Sequence, residues 1–174
     1  MTRWVVPFLV FLATAVGAWH ATIAVTTFGL MEGAVRRLSA RAGLNMMSYG
    51  TLANPANQPI VRPSPDLAYS SCAYDLSNGP LLINYVPVEG RYSSLSVFDA
   101  RTDVVFVRND VQAGGKPFRI AVARDGQKVP DGIETVRVGY DRGIALVRLL
   151  LADPKEIAQF DSVRRQSNCA TIKR

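Results

Sequence analysis

The sequence is poor in the residues that most often carry chemistry. It has one histidine, His20, and two cysteines, Cys72 and Cys169. His20 lies in an apolar stretch near the N-terminus, so no histidine follows it that could serve a Ser-His-Asp triad or a His-rich metal site. The cysteines form no CxxC pair, which removes the common redox and zinc-ribbon readings. No G-x-S-x-G elbow and no EF-hand spacing occurs. Gly114-Gly115-Lys116 is not a P-loop, because the earlier glycine and the following Ser/Thr are missing. No internal repeat or low-complexity segment is present. A further absence organises the chain: no charged residue lies between Arg3 and Glu32.

That charge-free run reads WVVPFLVFLATAVGAWHATIAVTTFGLM. A helix rises about 1.5 Å per residue and a hydrocarbon core is about 30 Å thick, so roughly 20 residues suffice to cross it. Residues 1–31 are expected to be a single transmembrane anchor, with Pro7 tolerated in the first turns. A cleaved signal peptide is the alternative, since Ala15-Val16-Gly17 resembles a small-residue cleavage site. The run continues through Ile23, Val25, Phe28 and Leu30, which favours retention. His20 within it is either a neutral imidazole bonded inside the helix or to a neighbour, or an intramembrane proton or ligand site.

Residues 32–65 are expected to form a juxtamembrane helix and a linker. Val35, Leu38, Ala42 and Met46 fall near one face of a helix over Glu32–Met47. Arg36, Arg37 and Arg41 fall on other faces, positioned to contact lipid headgroups. Tyr49–Pro65 carries prolines with Gly50, Asn54 and Asn57 and reads as a linker or a wrapping loop.

Residues 66–174 read as one β-rich domain. Seven strands are predicted: Ala68–Tyr74, Leu81–Val86, Arg91–Phe98, Val104–Arg108, Phe118–Ala123, Thr135–Gly139 and Ile144–Leu151. Phe118, Ile120 and Val122 alternate with Arg119, Ala121 and Ala123, as in a strand with one buried face. Ser77-Asn78-Gly79-Pro80, Ala113-Gly114-Gly115 and Arg124-Asp125-Gly126 supply turn chemistry. Asp153 as N-cap and Pro154 at the first helical position predict a closing helix to Arg165, with Ile157 and Phe160 toward the sheet. The fold class is α+β: an N-terminal transmembrane helix, an antiparallel sandwich-like domain and a short C-terminal helix.

The net charge is +6 and the isoelectric point 9.7. The arginines are dispersed among aspartates, which points to a solvated surface or a lipid contact rather than to nucleic acid. Asp66, Tyr69, Ser70, Ser71 and Asp75 cluster, but without a base the serines read as turn and edge polarity. Asp99, Asp103, Asn109 and Asp110 flank the strand Val104–Val107. They could bind a hard cation, or Asp66, Asp99 or Asp103 could serve acid–base work on a glycan. Turn caps and partners for Arg91, Arg101 and Arg108 are the plainer reading. No cofactor or metal is implied, and no catalytic residue is assigned.

Orientation is contested. The amine and Arg3 stand on one side of the run, and Arg36, Arg37 and Arg41 on the other, a count that leaves the domain in the cytoplasm. The signal-like start and the cysteine pair favour export. In an oxidising compartment Cys72 and Cys169 would form a disulfide; otherwise Cys72 is a buried thiol and Cys169 a free one in the tail.

From Arg62 onward the sequence resembles the family called domain of unknown function 1254. The resemblance rests on Pro65-Asp66 with Tyr69-Ser70, on YDLSNGP from Tyr74 to Pro80, on GRYSSLSVFDARTDVV from Gly90 to Val105, and on IALVRLLLADP from Ile144 to Pro154 with its Arg148. Long members join this domain to a second one; this chain is similar to the short, membrane-anchored bacterial form. Long members carry Asn near Ser64 and at Asp103, where this chain departs. The resemblance implies a β-rich domain and no settled catalytic residues. The expected function is a cell-envelope protein anchored in the bacterial inner membrane by a single pass, its domain in the periplasm. There it would bind lipid and a membrane or envelope protein partner. The alternatives are a carboxylate-dependent hydrolase or carbohydrate-active enzyme, and a subunit of a membrane complex using His20 and the span.

Overall fold

The computed structural model describes residues 2–53 and 63–172. The part of the expected linker over 54–62 lies outside them. A short 3-10 turn, Thr2–Trp4, leads into α1, Val5–Ala42. At 38 residues this helix is about 57 Å long. It is long and apolar enough to cross a membrane. Two helices were expected, an anchor and a juxtamembrane piece; they are one. Nothing between Met31 and Ala42 breaks the backbone ladder, since no proline falls there. The helix ends at Gly43, whose φ of 93° suits glycine and whose N–H bonds Ser39 O at 2.7 Å.

Met46, expected on the helix, instead opens the first strand. The nine strands are β1 Met46–Tyr49, β2 Leu67–Asp75, β3 Leu81–Tyr85, β4 Ser93–Phe98, β5 Val104–Asn109, β6 Phe118–Arg124, β7 Glu134–Val138, β8 Arg142–Leu150 and β9 Asn168–Thr171. One sheet has the order β1-β2-β8-β4-β5 and the other β7-β6-β3-β9. The seven expected strands are all present. The two additions, β1 and β9, are edge strands of four residues, too short for a periodic signal. The expectation of wholly antiparallel pairing fails at one place: β7 runs parallel to β6, Ile120 opposite Glu134 through Arg124 opposite Val138. The turns around Gly126 and Gly132, both at positive φ, carry the chain back to start β7 beside the start of β6. The closing helix begins as a 3-10 turn, Pro154–Glu156, capped by Asp153, whose carboxylate accepts from Lys155 N–H at 2.8 Å. It continues as α2, Ile157–Arg164.

The sheets enclose a core of Tyr74, Tyr85, Leu95, Val97, Ile120 and Val122 with Ala145 and Val147. Cys72 of β2 and Cys169 of β9 form a disulfide across it, Cα atoms 6.6 Å apart, joining one sheet to the other. Gly143 permits the closest approach. A Cβ there would collide with Phe98 O and the Tyr74 ring, where the Tyr74 hydroxyl donates to Phe98 O at 2.9 Å. Burial pushes the Tyr74 hydroxyl pKa up, and Asp99 adds to it. A second cluster docks α1 on the outer face of the five-stranded sheet: Met31 and Val35 pack against Ala73 and Ile144. Each such burial contributes roughly 1.5–3 kcal/mol.

Candidate functional site

Alternation along β2, β4 and β8 assigns side chains to two faces. Cys72, Tyr74, Leu95, Val97, Ala145 and Val147 fill the core. Ser71, Phe98, Ile144 and Leu146 point to the opposite face, toward α1. Where α1 passes over this face it leaves a groove of about 480 Å³, within the range of about 300–1,000 Å³ usual for ligand sites. Its sheet wall is Tyr69, Ser71, Phe98, Ile144 and Leu146. Its helix wall is Leu30, Ala34, Leu38, Arg37 and Arg41, with Gly29 and Gly33. Gly29, Gly33, Arg37 and Arg41 recur at four-residue spacing, as do Leu30, Ala34 and Leu38, so the wall is two adjacent rows of the helix surface. A Cβ at either glycine would meet nothing within 4 Å, so the space beside both is open.

The three juxtamembrane arginines are not equivalent. Arg36 pairs with Glu32 at 2.9 Å. Glu32 also accepts from Arg142, which in turn pairs with Asp75 at 2.8 Å. This chain of charges ties the helix to the ends of β2 and β8. The Arg36 hydrogen bond, then that of Arg142, holds the Glu32 carboxyl below its ordinary pKa. Burial pushes the Asp75 carboxyl up, but hydrogen bonds from Ser77 and Arg142 outweigh it and the net shift is down. Arg37 and Arg41 line the groove, and neither has an ion-pair partner among the described residues.

Further along the same face the lining becomes polar. Arg148 donates to Ser96 Oγ at 2.9 Å. Its Nε is buried without a hydrogen-bond partner among the described residues, as is Oγ of Ser94, directly opposite it on β4. The family resemblance singled out Arg148, but not the serines beside it. The Glu32–Arg142–Asp75 chain and Arg164 were not anticipated, because their partners lie far off in sequence. Arg164 is 4% exposed and donates to the carbonyls of Gly50 and Tyr69, fastening α2 to the sheet.

The structure keeps Asp99 and Asp103 in one turn, Asp103 N–H donating to Asp99 Oδ1 at 3.0 Å, and leaves Asp66 apart from both. Asp99 is buried, and its Oδ1 accepts from the N–H groups of Arg101 and Asp103, so it caps the turn before β5. Asp103 is exposed and faces Arg101 at 3.8 Å. Asp66 sits at the other end of the sheet: Leu67 pairs with Leu150 of β8, whereas Phe98 pairs with Ile144. Six residues of strand separate the two ends, about 20 Å. Ser70 faces the core, its hydroxyl without a hydrogen-bond partner among the described residues, and Ser71 faces the groove. His20 is exposed on the apolar stretch of α1. Among the described residues no group of three or more His, Cys, Asp and Glu could hold a metal ion.

The fold has solved counterparts. The VPA0106 protein from Vibrio parahaemolyticus superimposes with a TM-score of 0.65 at 17% identity, over 87% of this chain and 37% of that one. A putative uncharacterized protein from Burkholderia cenocepacia aligns with a TM-score of 0.48 at 14% identity, over 88% of this chain and 41% of its own. The chain thus spans well under half the length of either. No curated protein matches. A family model described as protein of unknown function (DUF1254) matches residues 44–171, from the end of α1 through β9, and the chain belongs to that family.

Proposed function

We propose that this chain is a bacterial cell-envelope protein, anchored in the inner membrane by α1, that holds a non-enzymatic binding domain against the periplasmic surface. The observation that carries the reading is the groove: a preformed, largely apolar cleft shared between the anchor helix and the sheet, beginning at Gly29 near the end of the apolar run. Binding there needs no acid–base pair; of the candidate carboxylates, Asp99 caps a turn, Asp103 faces Arg101 and Asp66 lies at the other end of the sheet. The Cys72–Cys169 disulfide supports the periplasmic side, because such bonds persist in oxidising compartments and not in the cytosol.

Two measurements test it. In spheroplasts, a membrane-impermeant maleimide should label a cysteine introduced at the exposed turn position Val111 (Val111→Cys) without lysis. Labelling of that cysteine only after lysis would place the domain in the cytoplasm. A photo-reactive residue at Leu146 on the groove floor should yield adducts in intact cells. Adducts from the exposed edge residue Val107 and none from Leu146 would move the binding surface elsewhere.

A further inference from the structure

We propose that the groove holds one acyl chain of an anionic phospholipid drawn from the adjoining leaflet, with its phosphate between Arg37 and Arg41. The proposal rests on the groove being the binding site; which side of the membrane the domain faces does not enter it. Three observations carry it. The first is continuity. The helix wall starts at Gly29, Leu30 and Met31, the end of the charge-free run, and passes Ala34 before the first charge that lines it, Arg37. A hydrocarbon chain can therefore enter from the bilayer without crossing a charged ring.

The second is polarity along the axis. Leu30 to Arg37 is about 10 Å and Leu30 to Arg41 about 17 Å along the helix. Apolar lining comes first and cations follow, in the direction away from the span. An amphiphile seated there keeps the orientation it has in its own leaflet, head outward, so it slides in without inverting. The third is the unsatisfied charge. Arg36, Arg91, Arg108 and Arg142 each carry a carboxylate partner. Arg37 and Arg41, one helical turn apart on the groove, carry none among the described residues. Guanidinium pairs suit phosphate oxygens bidentately. A neutral apolar peptide would use the floor but leave these two cations unanswered.

The test uses the full chain reconstituted in nanodiscs of equimolar phosphatidylglycerol and phosphatidylethanolamine, stripped with mild detergent and read by native mass spectrometry. One retained lipid per chain is expected, phosphatidylglycerol over phosphatidylethanolamine. Two basic side chains at about 1 kcal/mol each correspond to a roughly 30-fold preference. Gly33→Leu, which fills open space in the groove, should abolish retention. Arg37→Gln with Arg41→Gln should keep a lipid but lose the headgroup preference; these rim positions keep the test decisive if Gly33→Leu misfolds. Retention without headgroup preference in the wild type, or undiminished retention in a folded Gly33→Leu protein, overturns the proposal. A protein partner lost on Gly33→Leu, with no lipid retained, overturns it while leaving the groove as the binding site. If lipid retention and Leu146 adducts are both absent, both readings fall.

Discussion

Reducing the Cys72–Cys169 bond should lower the stability of the domain by several kcal/mol while leaving its native structure in place. The bond closes a loop spanning 97 positions, for which the chain-entropy relation gives about 4.7 kcal/mol at 25 °C, an upper figure for most real disulfides. For a domain of this size that is a fall in midpoint of roughly 15–20 °C. The bond also holds β9, an edge strand of four residues paired to β3. The assay is thermal and urea unfolding of the detergent-solubilised full chain, with and without reductant. The readout should be the β-sheet circular dichroism band. Tryptophan fluorescence is unsuitable, because Trp4 and Trp19 are the only tryptophans and both belong to the N-terminal helical segment. Cys72→Ala with Cys169→Ala should match the reduced protein. A midpoint unchanged by reduction, with both thiols then reactive to maleimide, would refute the reasoning: the unfolded chain would already be restricted, or β9 would contribute nothing.

Gly143→Ala should cost at least about 3 kcal/mol, because its Cβ collides with Phe98 O and the Tyr74 ring and breaks a buried hydrogen bond; a urea midpoint near the wild type would contradict this. Glu32 and Asp75 are held below their ordinary values of 4.5 and 3.8, so they stabilise the docked helix above those values, and the contribution is lost as pH falls through the lower folded-state values. Amide exchange over Val35–Ala42 should accordingly be unaffected by ion-pair loss from about pH 6 to 8 and become faster in acid, relative to its intrinsic rate, and Glu32→Gln should abolish that acid dependence in part. Ser70→Ala should leave stability unchanged or raise it by up to about 1 kcal/mol, since the buried hydroxyl has no partner among the described residues; loss of a phenotype with the fold intact would restore Ser70 as a nucleophile.

The elements legible in the sequence are those with strong local signals. The charge-free run marks α1, alternation marks β6, and Asp153-Pro154 marks the start of the closing helix. Local signals also mislead at joins. Arg36, Arg37 and Arg41 make residues after Glu32 look like a separate amphipathic piece, yet the backbone ladder does not register side-chain polarity and continues to Ala42. β1 and β9 carry four residues each, and their pairing is set by β2 and β3 rather than by their own pattern. The parallel β7 has an alternating pattern that fits either direction, so direction had to come from the turns at Gly126 and Gly132. The disulfide was foreseeable only as one of two outcomes, because nothing local tells β2 that β9 lies opposite.

The groove was the least legible feature, for a physical reason. Its two walls come from residues 29–41 and from β2, β4 and β8, and each wall alone looks ordinary. Gly29 falls in the expected anchor, Gly33 and Ala34 in the expected juxtamembrane helix, and Ile144 and Leu146 in an expected strand. Only their juxtaposition turns missing side-chain volume into a cavity. The same juxtaposition separates three arginines that a charge count treats alike. Arg36 is answered by Glu32 and joins the network holding the helix down. Removing it should therefore loosen the docking more than it alters any ligand. Arg37 and Arg41 have no structural partner among the described residues and line open space, so removing them should alter the ligand more than the docking. On the proposed reading, ligand binding rests on Arg37 and Arg41, and the docking of the helix on Arg36 with its carboxylate partner.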